Sequence, residues 1–334
     1  MRTPERELEN GGPFSYSFSD RPPWWGGDLQ TLRNQLLYRR SKLPRTSQRL
    51  EFPTLDATGD RLTGTLEVPE RVSTGPLVLL IHGLTGCEDS TYILETTRVQ
   101  LAIGRRVLRL NLRGAGASRA TAGGYYFGGC VDDIRAAVIG LDDNLKTSGI
   151  FAIGFSLGGN ILLNVLGQDW AGKIFVGAAT VSAPIRPVEA ARRLMKPRNA
   201  IYHYFLLRRM KSEALSPLAR LSAEEKTAIQ SSSDIYDFDD RFTAPRNGFR
   251  DAADYYARTA GCQFVQVLTV PTLLIHARND PWVPAQAYMD LNAHLPSGSQ
   301  LLLTNGGGHV GFHERGYRDT RHDRAVNAFL DRLI

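Results

Sequence analysis

Residues 154–158 read Gly-Phe-Ser-Leu-Gly, which sets Ser156 between glycines at −2 and +2. The apolar run 149–153 before it reads as a buried strand, and residues 159–166 after it read as a helix. A serine on a sharp strand-to-helix corner is presented as a nucleophile, and the corner needs glycines because flanking Cβ atoms would clash. The chain holds 32 glycines, so the five-residue pattern alone could arise by chance. The strand and helix around it carry the reading.

A serine hydroxyl becomes a nucleophile when a base removes its proton, and the base needs an orienting acid. On a strand–helix alternation the acid and then the histidine should follow the serine, each on a loop after a later strand. The chain has seven histidines: His82, His203, His276, His294, His309, His313 and His322. His309 follows the last apolar strand and three consecutive glycines, 306–308, on a loop open enough to bring an imidazole over Ser156. His313 shares that loop and is its rival. His276 lies within a strand and reads as a core residue, His294 falls in a helix, His322 opens the terminal helix and His203 belongs to an insertion. For the acid, Asp280 directly follows the penultimate strand and precedes Pro281, which stops that strand. Its alternative role is to cap the next helix. The loop after the preceding strand, residues 181–184, offers no carboxylate.

A tetrahedral oxyanion needs two backbone donors. The Leu157 amide, next to the serine, supplies one. The Leu84 amide, in the loop His82-Gly-Leu-Thr-Gly86, supplies the other, with His82 bracing that loop rather than acting as a base.

The elements that must position these groups are legible as alternating runs. Residues 1 to about 45 read as an irregular arm, with Trp24, Trp25 and a short amphipathic helix over 29–37, packed on the main body. Residues 49–52 and 61–68 alternate as half-buried strands do. From Pro76 onward, continuous apolar strands (76–81, 106–112, 149–153, 173–181, 271–276, 300–304) alternate with helices (about 89–103, about 131–145 and from about 319). Strands buried on both faces and joined by helical crossovers predict a mostly parallel, doubly wound sheet, with the two leading strands as an antiparallel N-terminal edge. The core then comprises 46–184 and 266–334. Residues 185–265 break the alternation and read as a helical lid above the carboxyl ends of the strands, where such sheets bind ligands.

Bulk properties exclude several classes. At 334 residues, 42% hydrophobic and 22% charged, the chain has the composition of a globular protein, and no apolar run is long enough to span a bilayer. Residues 1–10 are charged and lack the apolar core of a secretory signal, and Cys87, Cys130 and Cys262 cannot all pair. Both features predict a cytoplasmic protein with free thiols. The net charge of +6 invites a polyanion, but no nucleic-acid-binding motif accompanies it. Much of the excess sits at Arg192, Arg193, Lys196, Arg198, Arg208, Arg209 and Lys211, around the bulky apolar stretch 201–207. Two readings fit: a solvated helix with its apolar side on the core, or peripheral contact with a membrane or lipid substrate.

The motif set as a whole resembles the YheT-like family of α/β-hydrolases, which is related to plant embryogenesis-associated proteins and animal α/β-hydrolase-domain lipid hydrolases. The resemblance rests on Asp28-Leu-Gln-Thr-Leu32, His82-Gly-Leu-Thr-Gly86 with Ser90-Thr-Tyr92, Asn111-Leu-Arg-Gly114, residues 154–160, Gly307-Gly-His-Val-Gly-Phe312 and the tract Phe238-Asp-Asp-Arg-Phe-Thr-Ala-Pro245. It covers residues 25 to 330. The resemblance implies an α/β-hydrolase fold, a Ser156–Asp280–His309 triad and hydrolysis of carboxylic esters, including glycerolipid esters, without metal or organic cofactor. Many animal relatives carry an N-terminal membrane anchor; this sequence shows none, which predicts a soluble bacterial-type esterase. The same residues would also serve acyl transfer to an alcohol, or a non-catalytic lipid- or partner-binding scaffold.

Overall fold

A computed structural model describes residues 15–16, 18–36, 47–291 and 295–334. The helical position expected for His294, and the arm's residues 1–14, 17 and 37–45, lie outside them. The strands are β1 (Ser15–Tyr16), β2 (Ser47–Pro53), β3 (Arg61–Glu67), β4 (Leu77–Ile81), β5 (Val107–Asn111), β6 (Ile150–Phe155), β7 (Phe175–Val181), β8 (Thr272–Ala277) and β9 (Gln300–Thr304). They form one nine-stranded sheet in the order β1-β9-β8-β7-β6-β4-β5-β3-β2. All pairings are parallel except β3 with β5 and β2 with β3, which form the antiparallel edge.

Every residue of β4, β6 and β8 is buried. That is why these strands read as unbroken apolar runs: helices cover both faces, and each face has its own apolar cluster. Register then sets the site. Ile81 lies opposite Gly154, Val181 opposite Ile275 and Ala277 opposite Thr304. The loops after β4, β6, β8 and β9 therefore emerge side by side at one edge.

The helices over the core are α1 (Gly26–Leu36), α2 (Thr91–Ala102), α3 (Val131–Ile139) and α4 (Leu157–Leu166). The helix expected over 131–145 is interrupted: α3 stops at Gly140, and a separate turn runs from Asp143 to Lys146. Glycine weakens helix continuation, and Gly140 sits against the Phe52 ring, where a Cβ would come within 3.0 Å. Of the two tryptophans, Trp25 is largely exposed rather than packed.

Between β7 and β8 the chain forms α5 (Pro187–Leu194), α6 (Ala200–Ala214), α7 (Ala223–Ser231), a π-helical turn Asp239–Thr243 and α8 (Ala252–Thr259); α9 (Gln286–Leu291) and α10 (Arg321–Leu330) follow. Leu206, Leu207, Met210 and Ala214 of α6 point inward, whereas Ile201, Tyr204 and Phe205 face outward. Buried Asp60 fastens this segment to the sheet. It accepts hydrogen bonds from the Gly123 and Gly124 amides and from Arg113, and it pairs with Arg220. Among the described residues no helix is long and apolar enough to cross a membrane, and all three cysteines are free.

Candidate active site

Ser156 directly follows β6 with φ 50° and ψ −121°. A non-glycine residue in that region is strained and persists only where its surroundings over-determine it. Here the constraint is crowding: a Cβ on Gly154 would meet Gly158 O at 2.5 Å, and one on Gly158 would meet His82 O at 2.4 Å. The corner closes because both neighbours are glycine, and the serine hydroxyl is pushed forward of the sheet.

The structure brings Ser156, His309 and Asp280 together across 124 and 29 residues of sequence. His309 Nε2 lies 2.9 Å from Ser156 Oγ, and His309 Nδ1 lies 2.8 Å from Asp280 Oδ2. Asp280 is fully buried, and its Oδ1 accepts from the Trp282 and Val283 amides at 2.8 and 3.0 Å. Its Oδ2 faces the imidazole, while its Oδ1 caps the bend at 281–283 rather than the next helix, which begins only at Gln286. Burial pushes its carboxyl up, but His309, by charge and hydrogen bond, together with His276 and the Val283 amide, outweighs that and brings it below the ordinary carboxylate value. An ionised Asp280 places the imidazole proton on Nδ1, leaving Nε2 as the acceptor for the serine hydroxyl. The Trp282 ring lies over His309 at 4.3 Å between centroids and shields the pair.

The other histidines fall elsewhere. His276 is buried in β8, stacked on Tyr288 at 4.2 Å, and burial lowers it to about 4. His82 is lowered to about 4 by burial and accepts from the Leu112 amide, bracing its loop. His203 accepts from the Ile235 amide within the insertion, and His322 is buried beneath Phe312. His313, the rival of His309, faces away from Ser156 toward Arg33 and Asn34.

In the loop after β4, neighbouring amides are occupied while one is free. Gly83 N–H donates to Tyr92 Oη (3.0 Å) and Thr85 N–H to Tyr126 Oη (2.7 Å). Among the described residues the Leu84 amide between them, like the Leu157 amide, donates to no protein group. Gly83 packs directly on Ser156, where a Cβ would approach Ser156 Cβ to 2.9 Å. Tyr126 in turn donates to Glu213 of α6, which pairs with Arg119. Arg209, one turn earlier on α6, donates to Thr85 O at 2.8 Å. Sequence reasoning missed these groups because a tyrosine and a glutamate far apart in the chain carry no joint signal.

It also missed how the histidine loop is held. Val310 (φ 58°) and Phe312 (φ 54°) both adopt the left-handed region, which is costly for a β-branched or aromatic residue. Helix α1 supplies the constraint. Thr31 Oγ1 accepts from the His309 amide (2.8 Å), Asn34 Nδ2 donates to Val310 O (2.9 Å), and the Gln30 amide group exchanges hydrogen bonds with the His313 N–H and C=O. Ser182, itself at φ 52°, accepts from the Val310 amide. No local signal marks these residues: α1 buries Gln30, Thr31 and Asn34, a polar face that the sequence alone assigns to solvent.

A cavity of about 420 Å³ opens above Ser156 and His309. Its walls include Leu84, Leu157, Leu194, Phe205, Tyr255 and Trp282, so it is mostly apolar. Buried Asp239 lies in its wall, bonded to Tyr256 Oη at 2.7 Å, and burial pushes its carboxyl up to about 6.

Comparison with known proteins agrees with this architecture. The family profile described as alpha/beta hydrolase fold matches residues 76–316. The Escherichia coli protein named putative esterase YheT is 29% identical over 85% of this chain and 83% of its own length. The mouse protein named phospholipase ABHD3 is 27% identical over 78% of this chain but 65% of its own length, so the chain spans somewhat under two thirds of that relative. Among solved structures, the Pyrococcus furiosus esterase Pf2001 superposes with a TM-score of 0.61 at 18% identity, covering 95% of this chain and 99% of that one. With the profile spanning most of the sequence, the chain belongs to the alpha/beta hydrolase fold family, and its similarity to YheT supports a place in the YheT-like group.

Proposed function

We propose that this protein hydrolyses carboxylic esters through an acyl-enzyme on Ser156. The observation that carries the reading is the continuous contact from buried Asp280 through His309 to Ser156 Oγ at the foot of an apolar cavity. His309 Nε2 takes the hydroxyl proton as Oγ attacks the ester carbonyl carbon, and Asp280 stabilises the imidazolium that forms. The carbonyl oxygen gathers negative charge and is met by the Leu84 and Leu157 amides. His309 returns the proton to the departing alcohol oxygen, and water, activated by the same imidazole, releases the acid. The scheme calls on no metal and no organic cofactor. Residues 185–265 act as the lid over this cavity. The mostly apolar walls, and the names of the esterase and phospholipase relatives, support esters with lipid-like acyl groups. The three free thiols fit a cytoplasmic setting.

A fluorophosphonate probe should label Ser156, and Ser156→Ala should abolish both labelling and turnover of p-nitrophenyl and acylglycerol esters. Labelling of a different serine in the wild-type chain would sink the assignment.

A further inference from the structure

Helix α6 turns outward a face that a solvated helix would keep polar. Ile201, Tyr204, Phe205, Arg208 and Arg209 recur at the spacing of one helical stripe, and all five are exposed. Ile201 is 81% exposed, and Tyr204 and Phe205 are 63% exposed each. The opposite face is already buried through Leu206, Leu207 and Met210, so the helix does not lack a core to pack against. Single exposed apolar side chains are ordinary, but three large ones in one stripe mark a contact surface.

The stripe has a definite place. Ile201 and Phe205 line the cavity above Ser156, as does Leu36 at the end of α1, which is 64% exposed. The apolar surface therefore borders the opening through which substrate reaches the serine. Its charged surroundings are basic. Lys196 and Arg208 are exposed; Arg198, also exposed, pairs with Asp28 of the facing helix, which Tyr202 engages too, and exposed Arg209 donates to Thr85 O. An apolar stripe with a tyrosine and a cationic margin has the composition of a helix that lies in a bilayer interface: the apolar groups enter the acyl boundary and the arginines meet headgroup phosphates.

We infer that this face of α6, with the end of α1, docks on the surface of an anionic phospholipid bilayer and sets the cavity mouth against the lipid. The inference rests on the reading of the protein as a hydrolase of lipid-like esters, and it supplies that reaction with a route for substrate from membrane to serine.

Co-sedimentation with sucrose-loaded vesicles tests it, using the full chain and its Ser156→Ala variant. Vesicles of phosphatidylcholine mixed with phosphatidylglycerol should carry the protein down, phosphatidylcholine alone should carry less, and added salt should release it. Arg208→Glu and Tyr204→Asp should each weaken partitioning by roughly fivefold or more. Neither residue lines the cavity, so turnover of a soluble p-nitrophenyl ester should stay at the wild-type level, which also reports correct folding. Tyr204→Ser repeats the test without an added charge should the aspartate variant misfold. The idea is overturned if the wild-type chain stays in the supernatant with anionic vesicles, or if the Tyr204 variants bind as well as wild type. It is equally overturned if the stripe proves to join two copies, seen as a dimer that Tyr204→Asp dissociates with no vesicle binding. Should Ser156→Ala and wild type both sediment while no ester is cleaved, docking stands and the hydrolase reading falls.

Discussion

At the scale of single residues, the imidazole of His309 is defined as much by its backbone as by its ring contacts. Its amide donates to Thr31 Oγ1, and the following residue, Val310, sits in a conformation that β-branched side chains avoid. Replacing Thr31 by valine keeps the shape of the side chain but leaves a buried N–H without an acceptor, a loss of about 1–3 kcal/mol. The loop can recover that bond only by moving the imidazole away from Ser156. Thr31→Val should therefore lower kcat by about tenfold or more with KM within twofold, whereas Thr31→Ser, which retains the hydroxyl, should restore it. Steady-state kinetics of the pair, alongside melting temperatures, separate a positioning effect from simple destabilisation. Unchanged kcat in Thr31→Val would show that the remaining contacts of α1 suffice.

At the scale of elements, α6 is tied to the loop that holds Leu84. Glu213 receives the Tyr126 hydroxyl, Tyr126 receives the Thr85 amide, and Arg209 reaches Thr85 O from the same helix. Thr85 itself is held at φ 56°. A donor aimed at a developing oxyanion works because it is fixed beforehand, and this loop is fixed by a helix from the insertion. Tyr126→Phe removes the acceptor of the Thr85 amide and, among the described residues, leaves Glu213 with Arg119 as its side-chain partner. The expected outcome is about a tenfold fall in kcat for soluble esters, with rates of fluorophosphonate labelling reduced in parallel because that reaction also develops charge on an oxygen near Leu84. Wild-type kinetics in this variant would mean that the loop holds its shape without the insertion.

At the scale of the whole molecule, the cavity sets its own electrostatic cost. Asp239 accepts a hydrogen bond from Tyr256, and burial raises its carboxyl to about 6. A carboxyl raised on folding is protonated in the folded chain while ionised in the unfolded one, between its ordinary value of 3.8 and about 6. Stability on account of this group therefore falls as pH rises through that window and stays lowered above it. Asparagine keeps the acceptor for Tyr256 and cannot ionise. Asp239→Asn should thus gain stability over wild type on going from pH 4.5 to 7.5, by an amount on the order of 2 kcal/mol, since one pH unit of the window is worth about 1.4 kcal/mol. Denaturant titrations at the two pH values measure it. An equal difference between variant and wild type at both would show that the carboxyl does not titrate differently in the fold.

The sequence by itself determined the elements whose cause is local. Continuous apolar runs must be strands covered on both faces, and Gly154 and Gly158 leave only one tight corner for Ser156. The order serine, aspartate, histidine along successive strand ends then limited the partners to very few residues. Gly140 shows the limit even of local reading, because an apolar pattern that ran to residue 145 concealed a helix end. What only the tertiary structure decided is everything that depends on distant segments meeting: which of His309 and His313 turns toward Ser156, how α1 holds the histidine loop, and how Tyr126 and Glu213 link the insertion to Leu84. Hydrogen bonds between residues tens or hundreds of positions apart leave no period in the chain. Polar residues such as Gln30, Thr31 and Asn34, read locally, belong on a solvated face; it is the packing of α1 against residues 308–313 that turns them inward.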